Sequence, residues 1–322
     1  MSNKELLNKY LGCVFSFAVA DAFASPYEGP FTKEFISGLN IDTGFYKKNK
    51  IFKPGEYSTK TLSLLSAIDC YLEHKKLDEK QLFKSLEKTF AGPEELKGDI
   101  YSTLYALTKK EPAPVGIADN SASMRAPVIG LWNYDKKPKE LTSEAVKNSH
   151  TTHKDFRSEF GSVLISSAVA FLLTVKKPLR PPALFARIAE HLELADKKFI
   201  PHLKILSQLL KKNPEYVFFK LAKEGNDKYS KYEYGGGIPP FVTGSVLLSL
   251  YFFLKNPVNF KGLITDCIKS AGALTPVCTM AASLFGAYNG YNPLPANLVD
   301  DLIGKEEIYK KTVMLFKLKH AV

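Results

Sequence analysis

The chain has 322 residues, 45% hydrophobic and 24% charged, the balance of a globular protein with a sizeable core. Its formal charge of +11 and pI of about 9.2 admit an acidic partner, but arginine occurs only at Arg125, Arg157, Arg180 and Arg187. The remaining positive charge is lysine, scattered in short groups without interleaved aromatics, which argues against the arginine forks and stacking platforms of nucleic-acid readers.

In chain order, helical periodicity dominates. Leu6, Leu7, Tyr10, Leu11, Val14 and Phe15 recur at the spacing of one apolar helix face. The opening segment resembles a signal peptide in its lysines and apolar run, but Glu5 and Asp21 interrupt that pattern and favour a core helix. Residues 38–48 are a weak strand candidate. A turn at Gly55 leads through Ser58, Thr59, Lys60 and Thr61 into a helix that closes near His74–Lys76. Asp78 has the place of an N-cap for a helix to about Phe90. Further helices are predicted over 97–108, 140–149, 156–176, 182–194, 200–211, 213–222, 240–254, 257–270, 276–289 and 298–310, the 182–194 and 200–211 segments as an antiparallel pair. The tail 310–319 is a second weak strand candidate. The apolar runs 163–175 and 242–254 fall short of the ~20 residues a bilayer span needs. There is no internal repeat and no domain-splitting linker, so the expectation is one compact all-α domain over 1–322.

Four segments hold candidate chemistry. Asp21 and Glu28 follow an apolar helix and have the chemistry of acid/base groups or metal ligands, or of capping acids. "DNSASMRAPVIGL" (119–131) reads as a small-residue loop entering a helix, suited to cradling a diphosphate or to a plain tight turn in which Arg125 satisfies buried carbonyls. "SHTTHKDF" (149–156) places His150 and His153 three apart without a third zinc ligand. "GGG" (235–237) reads as a flexible loop, and His191 and His202 as surface residues. Cys13, Cys70, Cys267 and Cys278 form no C-x-x-C pair and read as buried thiols in a reducing compartment.

The order of these motifs resembles the ADP-ribosylglycohydrolase family. The D-A…P-x-E segment at 21–28, the helix mouth at 55–61, "NSASMRAP", the T-H-x-D turn and "LFGAYNG" (284–290) carry the resemblance across almost the whole chain. It implies an all-helical fold, an ADP-ribose cleft over two magnesium ions, and hydrolysis of a glycosidic bond. The family's first metal segment reads Thr-Asp-Asp-Thr where this chain has Ser58, Thr59, Lys60 and Thr61. Its second reads Gly-Asp-Thr-Asp-Thr where this chain has Gly272, Ala273, Leu274, Thr275 and Pro276. All four aspartate positions have changed.

Magnesium is usually anchored by carboxylates. A lysine ~4 Å from a divalent ion is repelled by several kcal/mol even at an effective dielectric near 20. The expectation is therefore no metal and no cofactor. The Lys60 ammonium is expected to pair with Glu28 or Asp21, because an unpaired buried charge is costly. Asp21 and Glu28 become vestigial catalytic groups, and Asn120, Ser121, Ser123, Arg125 and His153 a vestigial ADP-ribose cleft. Within this resemblance the J-type lens crystallins of jellyfish fit a chain with a degraded metal site. That implies a cytoplasmic structural protein with no nucleic-acid or membrane partner, in contact with itself or other lens proteins at high concentration. A metal-independent ADP-ribose binder, or a hydrolase with altered chemistry, is the alternative.

Overall fold

A computed structural model describes residues 1–29, 31–91, 96–98, 100–226 and 236–321. Helices make up its regular structure. They are α1 (Asn3–Ala24), α2 (Lys33–Ser37), α3 (Thr59–His74), α4 (Glu79–Phe90), α5 (Tyr101–Lys109), α6 (Ser121–Asn133), α7 (Pro138–His150) and α8 (Arg157–Thr174). Then follow α9 (Pro181–Ala195), α10 (Ile200–Leu209), α11 (Pro214–Ala222), α12 (Val242–Lys255), α13 (Phe260–Ile268), α14 (Leu274–Asn289), α15 (Ala296–Asp300) and α16 (Lys305–His320).

The core is built on α1 against α14 and α6 against α8, with α3, α7, α9 and α12 around them. Apart from the first turns of α1, these four helices are buried on nearly every face, which is why their apolar residues run all round rather than along one stripe. Glycine sets how closely α1 and α14 approach. A Cβ on Gly286 would overlap the Gly12 carbonyl, and one on Gly12 would overlap the backbone at Gly286 and Gly290. α1 is the one helix among the described residues long and apolar enough to cross a bilayer, but 83% of that stretch is buried inside the fold.

Several expectations are corrected. Residues 38–48 form no strand: the segment is a loop in which Tyr46 is buried and donates its hydroxyl to the Leu298 carbonyl at 2.7 Å. The tail is α16, because Ile308, Thr312, Leu315 and Phe316 follow helical spacing and bury one face against α1 and α3. The helix expected over 298–310 is split into α15 and α16 at Gly304, whose φ is +77°. α14 starts at Leu274, so Thr275 and Pro276 lie in its first turn, where a proline lacks only an N–H that has no intrahelical partner anyway. His191 is buried, with Nδ1 3.0 Å from the Thr142 hydroxyl. Within "GGG", Gly235 lies outside the described residues. The next residues are tied down, with Ile238 N–H donating to Ala271 O at 3.1 Å and Ala273 N–H to Ile238 O at 2.9 Å. This contact fixes the entry to α14. All four cysteines are buried free thiols.

Candidate functional site

The helix mouth at Ser58–Thr61 faces the end of α1. Asp21, fully buried there, acts as its cap. Its Oδ2 accepts the Ser58 N–H at 3.0 Å, the Thr61 N–H at 3.0 Å and the Thr61 hydroxyl at 2.6 Å. Its Oδ1 accepts the hydroxyls of Ser58 at 2.7 Å and Ser25 at 3.0 Å. The negative group that a helix N-terminus favours is thus Asp21, supplied from another helix. Thr59 is spent on the neighbouring segment: its N–H donates to Lys97 O at 2.8 Å and its hydroxyl to Gly98 O at 3.2 Å. Residues 97–98 therefore lie across the mouth.

Lys60 turns its side chain toward Glu28. The ammonium is 3.1 Å from Glu28 Oε2, with Lys60 1% and Glu28 25% exposed. The other oxygen, Oε1, accepts the Thr275 N–H of α14 at 3.3 Å. Glu28 therefore joins the mouth of α3 to the mouth of α14, the two places where the resemblance sets metal ligands.

Asp119 caps a second pair of helices. It accepts the Ser102 N–H of α5 at 2.7 Å and the Ser121 N–H of α6 at 2.8 Å, and His153 Nε2 lies 3.1 Å from its Oδ1. Burial pushes its carboxyl up, but hydrogen bonds from His153 and Ser121 outweigh this and hold it well below the usual carboxylate range. A carboxyl depressed in the folded state contributes stability above its unfolded value of ~3.9, and the contribution is lost as pH falls below that. Asp119→Asn is accordingly expected to lower stability at neutral pH and to flatten the acid loss below about pH 4. Urea melts at a series of pH values check this; parallel acid slopes in the two proteins would refute it.

Arg125 does not reach this site. It is completely buried inside α6, donating to Asn148 Oδ1 at 2.7 Å, Asn148 O at 3.1 Å, Thr103 at 3.2 Å and Thr152 at 2.8 Å. Burial pulls its pKa down to about 9, against support from Asp119, and it stays a cation at neutral pH. Since guanidinium only donates, the Thr152 oxygen accepts from Arg125, and the same hydroxyl lies 2.9 Å from His153 Nδ1. The other ring nitrogen, Nε2, faces Asp119 Oδ1 at 3.1 Å. His153 is thus a buried positioning link, while Asp155 orders the start of α8 by accepting the Arg157 N–H at 3.0 Å. His150 turns away to Glu159 at 2.9 Å.

Glu28, Lys60, Asp119, Asn120, Ser121 and Pro276 face one another around a cavity with about 30 Å³ of solvent space. That holds a water molecule, whereas pockets for small organic ligands run to roughly 300 Å³ or more. Ala273 lies at the same wall. Ser123 lies elsewhere, buried where α6 meets Gly161 of α8. The expected cleft residues therefore divide: Asn120 and Ser121 line the cavity, His153 touches it through Asp119, and Ser123 and Arg125 belong to the interior. The loop expected at 119–131 is the first turns of α6. Asp119 was not singled out, although an aspartate just before a small-residue helix start is itself a capping signal.

The residues present do not fit a magnesium centre. Among the described residues no group of three or more His, Cys, Asp or Glu is arranged to hold a metal ion. Asp21, Glu28 and Asp119 are each engaged by the donors described above. The unpartnered oxygens nearby, Asn120 Oδ1, Ser121 Oγ and Thr275 Oγ1, are neutral, and an ammonium stands beside them.

A family model described as ADP-ribosylglycohydrolase matches residues 2–321. A solved structure titled "ADP-ribosylglycohydrolase-related protein complex" superposes with a TM-score of 0.67 at 20% identity, covering 98% of this chain and 99% of the other. That likeness is one of fold. No curated protein matches the chain.

Proposed function

The chain belongs to the ADP-ribosylglycohydrolase family, and from that premise we propose that it is a member without glycohydrolase activity that serves as a structural protein, of the kind represented by the J-type lens crystallins. One observation carries the loss of activity: the Lys60 ammonium, 1% exposed, is held on Glu28 at the mouth of α3, where a divalent ion would need carboxylates. A cation there meets repulsion rather than ligands. The structural role draws its support from the sequence resemblance and from properties suited to crowding. A net charge of +11 keeps like molecules apart, and four buried thiols offer no ready route to cross-linking. Unpaired thiols also suit a cytoplasmic protein.

The alternative, metal-independent ADP-ribose binding, has the unpartnered oxygens of Asn120, Ser121 and Thr275 in its favour, and the size of the cavity against it. Incubation with an ADP-ribosylated peptide is expected to release no ADP-ribose with magnesium or with chelator, and light scattering is expected to show net repulsion between molecules up to high concentration. Magnesium-dependent release would overturn the reading. Tight, chelator-insensitive binding of ADP-ribose would replace it with the alternative.

A further inference from the structure

The loop between α2 and α3 turns large apolar side chains outward beside lysines. Phe45 is 66% exposed and Ile51 57% exposed. Each is followed by a buried anchor. Tyr46 is 8% exposed, packs its ring 6.1 Å from that of Phe23 and bonds Leu298, while Phe52 is 6% exposed. Each tip is also locked by a side-chain acceptor. Gly44 N–H donates to Asp42 Oδ1 at 2.8 Å, and the N–H groups of Ile51 and Phe52 both donate to Asn49 Oδ1 at 2.7 Å, turns that Asp and Asn side chains favour. Asn49 Nδ2 in turn donates to Pro26 O at 3.3 Å. Phe23 and Pro26 both belong to the end of α1 and the turn after it, so the two tips leave the same corner of the molecule.

Lys47, Lys48, Lys50 and Lys53 stand exposed among these tips. The acids near this corner are fewer: Asp42, which holds its own turn, Glu56, which pairs with Lys97 at 2.8 Å, and Asp301, which acts on Tyr46. The surface thus offers apolar points held rigidly outward in a positive field.

We propose that residues 45–53 are a docking surface for an anionic lipid bilayer, entered by Phe45 and Ile51 and held by Lys47, Lys48, Lys50 and Lys53. A bilayer with acidic headgroups supplies both negative charge and apolar depth. A nucleic acid would engage the lysines and stack on Phe45 but leaves aliphatic Ile51 in water. A second copy of the chain brings the same positive charge. The expectation of no membrane partner comes with the crystallin resemblance; the short apolar runs 163–175 and 242–254 bear on spanning and not on contact from one side. The inference is independent of the catalytic reading.

The test is sedimentation of the full chain with phosphatidylcholine vesicles and with vesicles carrying about one-quarter phosphatidylserine. Binding is expected only to the latter, and to weaken with salt. Phe45→Ser with Ile51→Ser is expected to weaken it by about tenfold or more, and Lys47→Ala, Lys48→Ala and Lys50→Ala together by about 100-fold. All five residues are exposed, so melting temperatures are expected to stay unchanged; if the serine variant does not fold, the lysine variant carries the comparison. Absence of phosphatidylserine-dependent binding, survival of binding in the folded variants, or equal affinity for soluble RNA or polyglutamate would overturn the proposal.

Discussion

Replacing Asp21 by alanine is expected to cost about 3–5 kcal/mol of folding stability, because it strands several buried donors at once. The carboxylate accepts two backbone N–H groups at the mouth of α3 and three hydroxyls, all away from solvent. Asp21→Asn keeps the shape but turns an amide donor toward groups that themselves donate, so it is expected to be destabilising as well. Denaturant midpoints at unchanged slope give the readout. A solvated acid/base residue would tolerate asparagine with little loss of stability, and such a result would show that Asp21 is not the cap described.

Glu28 and Lys60 are expected to behave asymmetrically. Glu28→Ala removes the carboxylate that faces a nearly inaccessible ammonium and is expected to cost about 3 kcal/mol, the effect of breaking a buried pair from one side. Lys60→Met keeps the hydrophobic stem and leaves behind a carboxylate that is already one-quarter exposed and can turn to water, so its cost should be smaller. Lys60→Met combined with Glu28→Gln is expected to recover most of the loss, since desolvation of two charges offsets much of their attraction. A double-mutant cycle with additive effects would mean that the two groups are not coupled.

Much of this was readable in the sequence, for reasons that differ by residue. Helices with clear three-and-four spacing, such as α3 and α4, were placed to within a residue or two by periodicity and by Asp78, whose side chain accepts the Gln81 N–H at 3.0 Å. The tail was misread because "TVMLFKLK" has a β-branched, partly alternating look, while its burial follows Ile308, Thr312, Leu315 and Phe316. The resemblance brought Lys60 and Thr275 into view, but not that Glu28 would bond both. That contact spans 247 residues of chain and has no local signature. For Arg125 the reading as a group that satisfies buried carbonyls is met at Asn148 O, but in a helix and not a turn: serines and alanines at 121–126 let α6 pack closely and enclose the guanidinium among Asn148, Thr103 and Thr152, away from the cavity.

The most direct measurement is a calorimetric titration of magnesium into the full chain. With an ammonium at the α3 mouth and Glu28 already committed to it, no saturable heat is expected, and melting temperature should not respond to chelator. Saturable, chelator-reversible magnesium binding that disappears in Asp21→Asn or Glu28→Gln would contradict the ion-pair-filled site.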